Sequence, residues 1–129
     1  MGKIYNILLD KNQIGTTKLE KADAPMGVVF GEIIFFNILS GYDFFKQYCL
    51  KNAIDFTDYP EDKLISTRNI PGLQMLDMDG NNIKGMACSI SGMDSDIFEV
   101  SIEAIGYPFY EEEFPHHVKF YNEMFGDSK

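Results

Sequence analysis

The chain has 129 residues, of which 45% are apolar and 14% aromatic, enough for one domain with a real core and too many for a disordered chain. Its net charge of −9 argues against direct binding to nucleic acid or to anionic membranes, because both need clustered Lys and Arg. No run of about 18 apolar residues occurs, so no segment is predicted to span a membrane.

The N-terminal stretch MGKIYNILLDKN has neither the apolar region nor the cleavage site of a signal peptide, and Asn6 departs from the myristoylation pattern. We therefore expect a cytoplasmic protein. Strand-forming residues at 3–10 and 14–20 flank a short polar segment, which predicts a β-hairpin with a tight turn at Lys11-Asn12.

The segment ADAPMG predicts a type I turn, with Pro25 at its second position and Gly27 at its fourth. The apolar run VVFGEIIFF at 28–36 then predicts a buried strand or a pair of strands. Gly31 inside this run indicates a bulge or a close approach of two backbones.

Residues 40–54, SGYDFFKQYCLKNAI, have the pattern of a helix. Ser40 suits the N-cap position, and Asp43 suits the first turn because its charge opposes the helix dipole. One apolar stripe along this helix, with Tyr48 beside it, comprises Tyr42, Phe45 and Cys49. Cys49 and the distant Cys88 both have apolar neighbours, so we expect two buried thiols rather than a disulfide.

The following segment DFTDYPEDK (55–63) is predicted to be a polar loop. LISTRNI and LQMLDMD are predicted short strands around Pro71-Gly72. DMDGNN resembles a calcium loop, but Met75 and Met86 occupy positions where an EF-hand needs acidic ligands. We therefore expect a tight turn at Asp79-Gly80.

The clearest strand signal is the pair NIKGMACSIS and DIFEVSIEAIG, joined by GMDSD in an antiparallel hairpin. The alternation predicts two inward-facing sets, Met86, Cys88 and Ile90 on the first strand and Phe98, Val100, Ile102 and Ala104 on the second. Residues 115–125 are predicted to form a helix that starts at Pro115 and ends at Gly126. Together these elements predict a single α+β domain over residues 1–129, mainly antiparallel sheet with about two helices.

Both histidines lie in YPFYEEEFPHHVKFY, where a metal site, an acid–base pair and a charged helix start are the alternatives. Adjacent residues point about 100° apart on a helix, so His116 and His117 are not expected to converge on a metal. Three glutamates before a helix N-terminus favour the structural alternative. We expect at least one histidine to be exposed, and replacement of both by Ala to cost no more than about 1 kcal/mol.

An apolar stripe on this last helix is predicted from Phe114, Val118, Phe120 or Tyr121, and Phe125. The sequence has no nucleophile elbow, Walker loop or dinucleotide fingerprint, so no cofactor is expected.

Acidic residues are concentrated between Gly85 and Val118, a segment that contains no Lys or Arg. We call these seven residues the acidic span: Asp94, Asp96, Glu99, Glu103, Glu111, Glu112 and Glu113. Such a surface either maintains solubility or attracts a basic protein partner. We take the acidic span as the candidate partner-binding site.

Two stretches, LEKADAPMGVVFGEI (19–33) and VSIEAIGYPFYEEEFPHHVKFY (100–121), resemble a set of small acidic bacterial proteins that are mostly uncharacterised. In size, charge and lack of catalytic motifs these are similar to immunity proteins encoded beside contact-dependent inhibition and other polymorphic toxins. The resemblance implies a cytoplasmic immunity protein that occludes a cognate basic toxin, such as a nuclease, and it implies no catalytic residue.

Two other functions remain open at this stage. One is a small adaptor or inhibitor that binds a housekeeping protein. The other is a hydrolase that uses a histidine with a glutamate, and a pocket containing both groups would favour it. The sequence leaves the oligomeric state open.

Overall fold

The computed structural model describes residues 3–23, 27–83, 85–106 and 109–125, apart from the side chains of residues 23, 111, 121, 124 and 125. The elements in chain order are β1 Tyr5–Leu9, β2 Asn12–Thr17, β3 Lys21–Asp23, β4 Val28–Glu32, β5 Ile34–Phe35, α1 Gly41–Asn52, β6 Phe56–Tyr59, β7 Leu64–Thr67, β8 Leu73–Leu76, β9 Ala87–Met93, β10 Phe98–Glu103, α2 Phe109–Glu113 and α3 Pro115–Phe125. Strands dominate, and the prediction of a single α+β domain is confirmed.

The strands form a four-stranded sheet in the order β5-β2-β1-β8 and a six-stranded sheet in the order β3-β4-β10-β9-β7-β6. Each recorded strand pair is antiparallel. Both sheets contribute to one core, in which Ile7 from β1 and Ile102 from β10 are fully buried. Aromatic side chains add to this core where Phe35 and Phe98 pack edge to face with ring centroids 5.7 Å apart.

The predicted N-terminal hairpin is confirmed, but its turn lies one residue earlier than expected. Asp10 and Lys11 occupy the two central positions, with φ values of 50° and 71°. Two left-handed residues in a two-residue loop give the turn the twist that a hairpin needs. The Asp10 N–H also donates to the Gly72 carbonyl at 2.9 Å, which ties this turn to the segment before β8.

The apolar run at 28–36 contains two strands that belong to different sheets, β4 and β5. Between them the Ile33 N–H donates to the Phe98 carbonyl at 2.8 Å. The close approach predicted at Gly31 is confirmed, because a Cβ there would lie 2.8 Å from the Leu19 nitrogen and 2.7 Å from Thr17 Oγ1. The turn predicted at Pro25 lies outside the described residues, although Gly27 has a φ of 67°.

Helix α1 begins and packs as predicted. Ser40 is its N-cap, and the Ser40 hydroxyl accepts a hydrogen bond from the Asp43 N–H at 3.1 Å. Its buried stripe comprises Tyr42, Phe45 and Cys49. The helix ends at Ala53, which has a left-handed φ of 55°.

The prediction that residues 55–63 form only a polar loop is wrong, because β6 occupies Phe56–Tyr59 at the edge of the six-stranded sheet. The loop was predicted from the polar residues of this segment, and one of them, Asp58, has partners on α1. Its carboxylate accepts hydrogen bonds from Tyr42 Oη at 2.6 Å and pairs with Lys46 Nζ at 3.2 Å. The Tyr42 hydroxyl, followed by Lys46, lowers the pKa of Asp58, so α1 supplies the partners that a strand aspartate needs.

The short strands predicted around Pro71-Gly72 are β7 and β8, which lie in different sheets. The hairpin of β9 and β10 is also confirmed, with Phe98, Val100 and Ile102 buried. Two of its predicted inward residues are exposed. Met86 precedes β9 and is 83% exposed. Ala104 follows β10 with a left-handed φ of 57°, so the alternation ends before it.

The turn predicted at Asp79-Gly80 is confirmed, and Asp77 organises it. The Asp77 carboxylate accepts hydrogen bonds from the N–H groups of Asp79 at 3.0 Å and Asn81 at 2.9 Å. The bond from Asn81 is the largest cause of a lowered pKa at Asp77. Gly80 has a φ of 87°, which suits a glycine.

Candidate functional site

The first two residues of the acidic span, Asp94 and Asp96, lie in the turn between β9 and β10. Asp94 is already bound within the chain, because its carboxylate accepts hydrogen bonds from Ser40 Oγ at 2.5 Å and the Tyr42 N–H at 3.0 Å. It therefore fixes the N-terminus of α1 to this turn. Asp96 is exposed.

The next two, Glu99 and Glu103, point away from the core because they alternate with the buried residues of β10. Glu99 pairs with Lys21 of β3, with 2.7 Å between Nζ and Oε2. Glu103 ends the strand and is exposed.

The last three residues of the acidic span form the end of α2 and precede α3, so they lie before a helix N-terminus as predicted. Glu112 is exposed, and the side chain of Glu111 lies outside the described part of the chain. Glu113 accepts hydrogen bonds from Lys3 Nζ at 2.5 Å and Tyr5 Oη at 2.7 Å. Its carboxylate thus joins the C-terminal helices to β1.

The acidic span therefore occupies three places, namely a turn, the outer side of a strand and a short helix. Within the described residues, Asp96, Glu103 and Glu112 are exposed and make no side-chain hydrogen bond or ion pair. These three carboxylates are available to a partner without breaking an internal contact.

More acids lie beside Asp94 than the sequence indicated. The Asp94 N–H donates to the Lys63 carbonyl at 3.2 Å, which brings the turn between β6 and β7, with Glu61 and Asp62, to the same end of the molecule. Leu39 precedes the α1 N-cap at this end and is fully exposed, at 105%. No local pattern could have joined these segments, because their proximity depends on the pairing of β7 with β9.

A cleft of about 570 Å³ opens where β1 and β2 meet the junction of α2 and α3. Its lining comprises Lys3, Tyr5, Lys18, Glu20, Glu112, Glu113, Pro115 and His116. The Tyr5 hydroxyl is held in this cleft by Glu113, and burial followed by that hydrogen bond raises its pKa well above the usual value. Tyr5 and the lysines were not predicted, since the cleft forms between opposite ends of the chain.

The two histidines of α3 have different environments. His117 is buried, and its Nε2 lies 2.9 Å from the Leu19 carbonyl. Because a carbonyl only accepts, Nε2 must carry the proton. His116 is exposed, as predicted for at least one histidine. Burial, followed by the neighbouring His117, lowers the pKa of His116.

The histidine rings converge more than their helical positions suggested, with centroids 4.1 Å apart. His117 also stacks on Phe114 at 5.8 Å. Of the predicted stripe, Phe114 is buried and Val118 is partly buried. Phe120 is 62% exposed, and the side chains of its alternative Tyr121 and of Phe125 lie outside the described part of the chain. Within the described residues, no three His, Cys, Asp or Glu side chains are placed to hold a metal.

The cysteines are free thiols. Cys49 is buried and its pKa is raised by that burial. Cys88 is half-buried, and burial together with the charge of Glu103 raises its pKa to about 11. Both are therefore protonated at neutral pH, which makes them poor nucleophiles.

Comparisons with protein-family models, curated proteins and solved structures found no match to this chain. Among the described residues, no helix is long and apolar enough to cross a membrane. The resemblance to small acidic bacterial proteins stays a prediction.

Proposed function

We propose that this chain is a cytoplasmic immunity protein that binds a cognate basic toxin, such as a nuclease, and neutralises it by occlusion. The observation that carries the proposal is the exposure of Asp96, Glu103 and Glu112, which have no cationic partner among the described residues. Nuclease sites hold phosphate and are rich in Lys and Arg, so unpaired carboxylates are the chemistry that would cover them.

Apolar side chains near the acids support a protein partner over a small ligand. Tyr59 is 57% exposed beside the turn that contains Glu61 and Asp62, and Leu39 lies at the same end. Exposed carboxylates steer a basic partner and raise its association rate, whereas aromatic and aliphatic anchors slow dissociation. An immunity protein needs both properties.

Affinity capture with the tagged chain from its own bacterial host tests this proposal. We expect a basic protein that arrests growth when expressed alone and is harmless when co-expressed with this chain. The adaptor alternative predicts instead a partner that is not toxic by itself. A captured partner that is acidic would contradict the proposal.

The cleft favours a second candidate, a hydrolase that uses His116 with a glutamate. A lowered pKa keeps His116 neutral at pH 7, as a general base requires. Against this, no residue is seen to orient the His116 ring by a hydrogen bond within the described part of the chain. The test is hydrolysis of ester, phosphoester and glycoside reporter substrates by wild type and His116→Gln. Turnover that His116→Gln abolishes would support the hydrolase.

A further inference from the structure

An apolar row crosses the outer side of the six-stranded sheet at one end. In the strand registers Tyr59 lies opposite Leu64, and Leu64 lies opposite Met93. These side chains point outward, because successive residues of a strand alternate and the adjoining Ile65 is fully buried. Ile97 extends the row, since its carbonyl accepts a hydrogen bond from the Met93 N–H at 3.4 Å. We call this row the apolar ridge, and its members are Tyr59, Leu64, Met93 and Ile97.

The two ends of the apolar ridge are open to solvent. Tyr59 is 57% exposed and Ile97 is 37% exposed, while Leu64 and Met93 between them are half-buried. Tyr59 belongs to β6, the strand at this edge of the sheet, so the ridge can be reached from the side as well as from above. A contiguous row of exposed apolar side chains is typical of the centre of a protein interface.

Acidic side chains form a rim around the apolar ridge. The turn from β6 to β7 contains Glu61 and Asp62, and the turn from β9 to β10 contains Asp96. A hydrogen bond from the Asp94 N–H to the Lys63 carbonyl holds these two turns together. The three rim acids are exposed and make no side-chain hydrogen bond or ion pair among the described residues. Lys63 is the single cation in the two turns, so the rim has an excess of negative charge.

We propose that the apolar ridge is the anchor site for the basic partner, an inference that rests on the proposed function. Its occupant is a segment that carries an aromatic or aliphatic side chain between Lys or Arg residues. The apolar side chain covers the ridge, and the cations reach the carboxylates of the rim. An apolar centre with a polar rim is the arrangement in which a few residues supply most of the binding energy.

Charge complementarity selects this occupant over two others. A second copy of the chain would bring its own acids to the rim, and an anionic membrane would bring lipid phosphates, so both are repelled. A basic segment is attracted by the same charges. An anchor needs only a handful of residues, and the rim acids extend the contact beyond the ridge.

Nuclear magnetic resonance of the full, isotope-labelled chain tests the apolar ridge without the partner. The capped peptide Lys-Lys-Trp-Lys-Lys should shift the amide signals of Leu64 and Met93 in a saturable way. Lys-Lys-Ser-Lys-Lys should bind at least about threefold more weakly because it lacks the anchor, and Glu-Glu-Trp-Glu-Glu should not bind. Peptide-induced shifts confined to other parts of the chain would overturn the proposal. Ridge signals that shift with the concentration of the chain alone would also overturn it, because the occupant would then be a second copy.

Matched variants separate the apolar ridge from net charge. Tyr59→Thr with Ile97→Thr removes both exposed ends of the ridge and keeps strand-forming residues. The control is Leu50→Gln with Phe120→Gln, which removes two exposed apolar side chains from α1 and α3. The ridge variant should bind Lys-Lys-Trp-Lys-Lys at least about threefold more weakly, and the control should bind it like wild type. Equal affinities of wild type and the ridge variant would refute the anchor.

The captured partner supplies the second measurement. The ridge variant should raise its dissociation rate at least about tenfold, because anchors act mainly on dissociation, and the control variant should leave the rate unchanged. A toxic basic partner that leaves wild type and the ridge variant at the same rate would uphold the proposed function and overturn this inference. A partner that is acidic or harmless would contradict the proposed function instead, and the peptide titration would still decide whether the ridge binds a basic segment.

Discussion

The outer side of the six-stranded sheet carries charged side chains, whereas the outward residues of β1 and β8 in the four-stranded sheet are uncharged, namely Asn6, Leu8, Gln74 and Leu76. On the six-stranded sheet Glu99 lies opposite Glu32 on the neighbouring strand. Lys21 offsets the repulsion between these two carboxylates by pairing with Glu99. The hydrogen bond with Glu99 raises the pKa of Lys21. Like charges opposed across strands are unfavourable unless a cation lies between them. Two sheets around one core thus present chemically different surfaces.

The largest expected effect tests whether the two sheets share one core. Ile7→Ala in β1 and Ile102→Ala in β10 each remove a fully buried side chain, so each should lower the free energy of unfolding by about 2–5 kcal/mol. Chemical denaturation followed by circular dichroism should show one transition for both variants. Two separate transitions would mean that the sheets unfold independently.

The next effect concerns the contact that ties α3 to the chain just after β2. His117→Phe keeps the ring stacked on Phe114 but removes the N–H that the buried Leu19 carbonyl accepts. An unsatisfied buried carbonyl costs about 1–3 kcal/mol. From the sequence, we expected that replacing both histidines would lower the free energy of unfolding by no more than about 1 kcal/mol. Because His117 is buried and hydrogen-bonded, that expectation now applies to His116 alone.

His116→Phe is the matched control, because it changes the exposed ring next in sequence. Equal losses of stability in His116→Phe and His117→Phe, measured by denaturant titration, would argue that the hydrogen bond to Leu19 contributes nothing.

A smaller effect is expected where α1 meets the six-stranded sheet. Ser40→Ala removes both the cap of the Asp43 N–H and the hydrogen bond to Asp94, and N-cap losses are about 0.5–2 kcal/mol. The control is Ser95→Ala, which lies next to Asp94 in the exposed turn between β9 and β10 and should leave the stability unchanged. A Ser40→Ala melting temperature equal to that of wild type would show that Asp94 holds the helix through the Tyr42 N–H alone.

The smallest effect is a pH dependence from His116. Its folded pKa is lowered, so below the unfolded value of about 6.5 the unfolded chain binds more protons than the native one. Stability should therefore fall as the pH falls from about 6.5 towards the folded pKa. Burial is the main cause of this lowered pKa, and the charges of His117 and Lys3 also oppose the protonation of His116.

His116→Asn should remove this contribution. The measurement is the free energy of unfolding of wild type and of His116→Asn, in steps from about pH 7.5 to about pH 5. The difference between the two proteins gives the contribution of His116 at each pH. A difference that stays constant with pH would exclude it.

Local patterns predicted α1, the β9–β10 hairpin and the inward positions of Phe98, Val100 and Ile102. They worked because capping and alternation depend on neighbours in sequence. The strand β6 was missed because its aspartate is satisfied by a helix that precedes it. The cleft was missed for a related reason, since Lys3 and Glu113 are brought together only by the complete fold.

The acidic span shows the same limit. Its charge was evident from the sequence, but Glu99 and Glu113 are partly neutralised by lysines that lie far away in the chain. Reversing Glu99 would therefore place two lysines side by side. The structure selects Asp96, Glu103 and Glu112 as the acids whose reversal perturbs the fold least.

The association rate of the captured partner tests the proposed function most directly. Asp96→Lys, Glu103→Lys and Glu112→Lys together should slow association several-fold and flatten its salt dependence, because rim charges act mainly on encounter. The control combines Asp55→Lys, Asp79→Lys and Glu123→Lys, which change the net charge equally at exposed positions outside the span. We predict that the control associates faster than the span variant. Equal rates in the two variants, or rates indifferent to salt, would contradict a partner-binding role for these acids.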